Sequence, residues 1–222
     1  MLYAFIVATV FITLAELGDK TQLLALVLAV RYKAWQVLLG IFIATLAIHL
    51  LSTLAGQLIG NIVPQQRLRL VTGLLFIGFG VWTLRGDKEP DPEADAVSRY
   101  GPILTVGVAF FLAELGDKTQ IMTMTIAADP TAVLTTFGAF GTSVAGWLRS
   151  AGISSQGLTP QQTFWGVWMG STLGMMIADG LAIIVGRVLG RNLPERLITR
   201  ISGVIFVLFG VAATAAAVLS WK

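Results

Sequence analysis

The sequence predicts an all-α integral membrane protein whose six transmembrane helices form two inverted three-helix repeats. Three observations lead there. Of 222 residues, 55% are hydrophobic and only 12% charged, half the roughly 25% of a soluble domain, and the mean hydropathy is +0.81. The nine-residue string LAELGDKTQ occurs twice, at 14–22 and again at 112–120. A second register, offset by 130 residues, pairs Trp35 with Trp165, Gly40 with Gly170, Gly56 with Gly186, Gly60 with Gly190 and Pro64 with Pro194. It continues through Gly73 and Gly203, Phe76 and Phe206, and Gly80 and Gly210.

Apolar runs place helices at 3–30, 35–60, 68–84, 102–127, 163–190 and 197–219. A spanning helix needs about 20 residues, so six of them leave room only for loops. The first run is a span and not a cleaved signal, because it lacks a basic leading segment and passes straight into a charged motif. Residues 85–99 (RGDKEPDPEADAVSR) are polar with two prolines. They mark an acidic linker at 85–100 between a first repeat, 1–84, and a second, 101–222, which carries an insertion at about 129–162. Three spans per repeat is odd, so the second repeat enters the membrane from the opposite side, as in secondary transporters.

Basic loop residues set the orientation. Arg31, Lys33, Arg85, Lys88, Arg99, Arg187, Arg191, Arg196 and Arg200 fall on one side; Arg67, Arg69, Arg149 and Lys222 fall on the other. Nine against four puts the linker in the cytoplasm and both termini outside. The composition excludes a water-soluble enzyme. With 15 basic against 12 acidic residues it also excludes a nucleic-acid binder. The absence of cysteine excludes disulfide scaffolds, zinc ribbons and thiol nucleophiles.

Five of the twelve acids lie inside apolar segments: Glu16, Asp19, Glu114, Asp117 and Asp179. A carboxylate at the bilayer centre costs about 2.5–3.5 kcal/mol on insertion scales, so such residues mark function. Within each motif the Glu and Asp are three apart and share a helix face. Gly18 and Gly116 lie between them and weaken the helix there, and broken helices near the midplane expose carbonyls that hold cations. Together the copies offer four carboxylates, the hydroxyls of Thr21 and Thr119, and the amides of Gln22 and Gln120. This all-oxygen set suits hard divalent cations such as Ca²⁺, Mn²⁺ or Mg²⁺. One histidine and no cysteine argue against a dedicated zinc or copper site. Metal and protons would compete for the same oxygens, the minimum for proton-coupled exchange.

Other roles stay open for several of these residues. Glu16 with Lys20 and Glu114 with Lys118 stand at i,i+4, the spacing of a structural ion pair, so the lysines are either structural or part of proton coupling. The Thr and Gln side chains are either ligands or interhelical hydrogen-bonders. Under the 130-residue offset His49 corresponds to Asp179, both mid-span, and the pair are candidates for proton coupling or a secondary site. Met122, Met124, Met175 and Met176 read mainly as packing.

Two copies of E-x-G-D-[KR]-[ST], carried by Glu16, Gly18, Asp19, Lys20 and Thr21 and by Glu114, Gly116, Asp117, Lys118 and Thr119, resemble the Gdt-type cation/proton exchangers, which include Golgi Mn²⁺/Ca²⁺ transporters and bacterial manganese exporters. The resemblance covers nearly the whole chain except the linker and the insertion. It implies a Mn²⁺ or Ca²⁺ exchanger driven by protons, with the motif acids as ligands and no cofactor beyond the transported ion. The short chain is similar to prokaryotic members, which implies manganese efflux across a bacterial plasma membrane. The insertion is longer than in typical members, and a membrane-surface position, an outer-vestibule cover or homo-oligomer contacts all remain open for it. The competing functions are a Ca²⁺/H⁺ antiporter, a passive cation channel with acidic rings, and an intramembrane aspartyl protease. Leu-Gly-Asp is similar to the protease G-x-G-D signature, but Glu replaces its first glycine and both copies are identical.

Overall fold

The structure is a computed structural model and describes residues 1–17, 19–64, 101–136 and 138–189, with scattered helical positions inside 67–84 and 200–219. Gly18, the side chain of Lys20, the linker at 85–100 and most of the third and sixth expected helices lie outside the described residues. All regular structure among the described residues is helical: α1 (Leu2–Glu16), α2 (Lys20–Arg31), α3 (Ala34–Ile62), α4 (Pro102–Glu114), α5 (Lys118–Ala128), α6 (Pro130–Thr136), α7 (Gly138–Ser150) and α8 (Pro160–Leu189).

Two helices, α3 and α8, are each long and apolar enough to cross a bilayer, with mean hydropathies of 2.3 and 1.5 over their best windows. The runs at 3–30 and 102–127 are not continuous. Each divides at its copy of the motif, giving the apolar but short α1 and α4 followed by α2 and α5. Leu17 (φ −59°, ψ 119°) and Leu115 (φ −66°, ψ 111°) turn the backbone out of the helix at equivalent positions. Gly116 then takes φ +88°, a left-handed conformation that glycine adopts without steric cost. α4 begins at Pro102, whose missing N–H is harmless in a first turn.

Small residues decide which helices meet. α8 lies along α1 and α2: Gly166 faces Met1 to Phe5, Gly170 faces Phe5 and Ala8, and Gly174 faces Thr9 and Ile12. A Cβ on Gly174 would lie 2.8 Å from the Thr9 carbonyl oxygen, so this backbone approach requires glycine. Further along, Gln22 donates to the Ala178 carbonyl at 3.2 Å. Residue numbers rise together, so α8 runs parallel to the α1–α2 pair. α3 lies parallel to α4–α5 in the same manner, with Gly40 against Ile103 and Val106, Gly56 against Met124 and Gly60 against Ala128. α3 and α8 cross in opposite directions, where Trp168 donates to the Leu46 carbonyl at 2.9 Å and Gln57 to the Pro160 carbonyl.

The described helices therefore form two tightly packed groups, α1–α2 with α8 and α3 with α4–α5. Each group takes helices from both halves of the sequence. Two apolar clusters tie the groups together: one joins Val7, Phe11, Ile12 and Met175 to Met122 and Ile126 of α5, and the other joins Val37, Ile41, Val106 and Phe110 to Ala25 and Leu28 of α2 and Ile183 of α8.

The stretch at 129–162 is mostly ordered as α6 and α7. Val133, Leu134 and Leu148 are buried against the α1 cluster, and Phe140 meets Phe11 edge to face at 5.9 Å. Asp129 caps α6, its Oδ1 accepting from the Thr131 hydroxyl at 2.6 Å and from the Thr131 N–H at 2.8 Å. The segment covers one flank of α1, while Trp147 and Arg149 stay exposed on its outer face.

Candidate metal centre

The two motif copies fold alike. After the helix ends, the Asp19 N–H bonds to the Glu16 carbonyl at 3.0 Å, and the Asp117 N–H bonds to the Glu114 carbonyl at 3.1 Å. The Thr21 hydroxyl donates to Glu16 Oε2 at 3.4 Å, and the Thr119 hydroxyl donates to Glu114 Oε2 at 3.3 Å. In each copy a glutamate closes one half-helix, an aspartate opens the next, and a threonine ties the glutamate across the break. The aspartates stand at helix N-termini, where partial positive charge favours an anion.

The copies also meet. Carboxylate oxygens of Glu16, Asp19 and Asp117 lie within 4.8 Å of one another, and Glu114 sits in the field of Glu16, Asp19 and Asp117. Glu16 and Glu114 are fully buried. Glu16 Oε1, Glu114 Oε1 and Asp117 Oδ2 have no hydrogen-bond partner among the described residues. Buried oxygens without partners cost free energy unless a proton or a cation satisfies them. An all-oxygen cluster with several free lone pairs is the donor set that hard divalent cations take.

Lys118 Nζ reaches Asp19 Oδ2 at 2.6 Å, with the two side chains 8% and 12% exposed. The i,i+4 spacing suggested a partner within its own motif; the bond found joins the two copies instead. Lysine has the reach to do so because the break turns the start of α5 toward the first motif, and its charged surroundings are Asp19, Glu16 and Asp117.

The two glutamines act differently. Gln120 Oε1 accepts from the Gly116 N–H at 3.0 Å and braces its own break, whereas Gln22 reaches α8. Asp179 follows Ala178, the residue Gln22 touches, and lies in the field of Asp19 and Glu114. It is fully buried, and neither of its carboxylate oxygens has a hydrogen-bond partner among the described residues. His49 is equally buried, with its Nδ1 3.4 Å from the Thr172 hydroxyl and its Nε2 unpartnered among the described residues. Thr172 lies seven residues before Asp179 on α8, about 10 Å along a helix, so the structure does not bring His49 and Asp179 together. Position 42, the counterpart of Thr172 under the 130-residue offset, is phenylalanine. Asp179 therefore lacks the hydroxyl that His49 has.

Sequence reasoning did not single out Thr172 or Thr123. The Thr123 hydroxyl, one turn beyond Thr119, is buried without a partner among the described residues; its i+4 spacing from Thr119 was the available signal.

Comparison with known proteins agrees with this chemistry. A family described as divalent cation/proton antiporter GDT1 matches residues 4–91, 102–155 and 153–220. A Vibrio cholerae protein named "Putative manganese exporter" is 32% identical over 202 residues, covering 90% of this chain and 85% of that protein. A GDT1-like protein of Synechocystis is 29% identical over 233 residues, covering 96% and 97%. GDT1-like protein 4 of Arabidopsis thaliana is 26% identical over 236 residues, covering 89% of each. No solved structure matches. The chain belongs to the GDT1 family of divalent cation/proton antiporters, and is a membrane transporter rather than an enzyme.

Proposed function

We propose that this protein exports Mn²⁺ from the cytoplasm in exchange for protons, with Glu16, Asp19, Glu114 and Asp117 as the cation site. The observation that carries the reading is the approach of Glu16, Asp19 and Asp117 to within 4.8 Å across two identical motifs. Cation and protons are alternative occupants of the same oxygens, so the arrival of one requires departure of the other. Thr21 and Thr119 orient the glutamates, and the turns out of the helix at Leu17 and Leu115 bring half-helix ends to the site. Asp179 is the proton-coupling acid beside it, and His49 with Thr172 forms a secondary polar contact. Lys20 belongs with Lys118 among the coupling residues.

The architecture proposed is six spans in two inverted repeats, 1–84 and 101–222, joined by an acidic cytoplasmic linker, with both termini outside. Its support is the parallel course of α8 with α1–α2 and of α3 with α4–α5, and the opposed course of α3 and α8. Two half-helices in series reach about 40 Å at 1.5 Å per residue, enough to cross a hydrocarbon core of about 30 Å. The bacterial plasma membrane and manganese efflux are favoured by the name and organism of the Vibrio relative.

The test is metal uptake by proteoliposomes with an acidic interior, comparing Mn²⁺, Ca²⁺ and Mg²⁺. Exchange requires that Mn²⁺ entry depend on the pH gradient and that the interior turn alkaline as metal enters. Faster Ca²⁺ than Mn²⁺ entry would make the protein a Ca²⁺/H⁺ antiporter. Metal entry without proton movement would make it a channel.

A further inference from the structure

We infer that Lys118 is a tethered cation that holds the site between transport events and that the incoming metal must displace. The inference rests on the motif carboxylates being the cation site. Lys118 Nζ lies 2.6 Å from Asp19 Oδ2, the distance of a charge-assisted hydrogen bond. Asp19 is one of the three acids whose oxygens cluster within 4.8 Å. The other charges around the ammonium are Glu16 and Asp117, the remaining two of that cluster. A divalent ion on these oxygens would take Asp19 from the lysine and set two positive charges beside a third. Like charges at such spacing repel strongly in a dry interior. The ammonium therefore leaves as the metal arrives and returns as the metal departs.

The ion pair also links the two motif-bearing helix pairs. Asp19 sits between α1 and α2, which pack on α8, while Lys118 opens α5, which packs on α3. The Lys118–Asp19 bond thus joins the two helix groups, and a cation that took Asp19 would break it. This makes Lys118 a positioning residue acting through Asp19. It explains why a lysine stands at the centre of a cation site.

The test uses the purified full-length protein in detergent, titrated with Mn²⁺. Lys118→Gln should bind Mn²⁺ about tenfold more tightly than wild type, and Lys118→Arg, which keeps the charge, should return affinity to the wild-type range. Without metal Lys118→Gln should melt earlier than wild type; with saturating Mn²⁺ the two should melt alike. A purely structural lysine would lower both melting temperatures equally. Equal or weaker Mn²⁺ affinity in folded Lys118→Gln overturns the inference. If that variant does not fold, lysine Nζ resonances of the wild type decide. The chain has five lysines, and the Lys118 signal is the one absent in Lys118→Arg. It should move on addition of diamagnetic Mg²⁺, and an unmoved signal at saturation overturns the inference. Failure of the wild type to bind any divalent cation would instead refute the site itself, a distinguishable result.

Discussion

Two segments of identical sequence, 14–22 and 112–120, share their Glu–Asp and Glu–Thr hydrogen bonds among the described residues but not their surroundings. In the second copy Gln120 folds back to hold Gly116, whereas in the first Gln22 reaches α8. Lys118 of the second copy holds Asp19 of the first. The flanking helices differ as well: α3 carries His49 with a hydroxyl partner, while the related position on α8 is Asp179 with none among the described residues. The repeated string offers matching oxygens to the proposed site. The neighbours differ, so identical motifs stand in unlike surroundings.

The comparison is broken most severely at the aspartates. Asp19→Asn and Asp117→Asn should both abolish Mn²⁺/H⁺ exchange in proteoliposomes while leaving membrane insertion intact, and full activity in both would refute the site. Their stabilities should differ, because Asp19→Asn leaves the buried Lys118 without its closest partner. Removing one member of a buried pair costs about 3–5 kcal/mol; Glu16 and Asp117 remain near the ammonium, which favours the lower end. Denaturant unfolding should show a larger loss for Asp19→Asn than for Asp117→Asn. Gly116→Ala comes next, since a non-glycine residue held at its φ of +88° costs about 1–3 kcal/mol, read in the same unfolding measurement. The smallest effect sharpens the difference between the glutamines. Gln120→Ala removes the acceptor of the Gly116 N–H and should cost about 1–2 kcal/mol, exceeding the loss from Gln22→Ala. Equal losses would mean that the brace does not distinguish the copies.

Much of this was legible in the sequence. The apolar runs locate α3 and α8 because an uninterrupted hydrophobic helix has a clear signature. The acids of the proposed site stand out because charge is scarce and repeated. The partner of Lys118 was not, since i,i+4 spacing measures only distance along one helix and carries nothing about a chain that turns at Leu115. The relation of His49 to Asp179 was half legible. The 130-residue offset makes them sequence counterparts, and that correspondence says nothing about contact. The pairing of helices was hidden too, because Gly40, Gly56 and Gly60 advertise a close contact without naming its partner. The insertion at 129–162 left several placements open, and the burial of Leu148 and the edge-to-face contact of Phe140 with Phe11 show which flank it covers.

The exchange of helices between the two halves has a consequence for how the protein is made. A chain emerges from the ribosome in order, and elements fold as units once their partners exist. Here α1 and its glutamate cannot find the glycine face of α8 until nearly the whole polypeptide has been synthesised. α3 likewise waits for α4 and α5. The first half must therefore persist in the membrane as an unfinished structure, with its acids uncovered by their eventual neighbours. Neither half is a domain in the folding sense, however plainly the sequence divides into two.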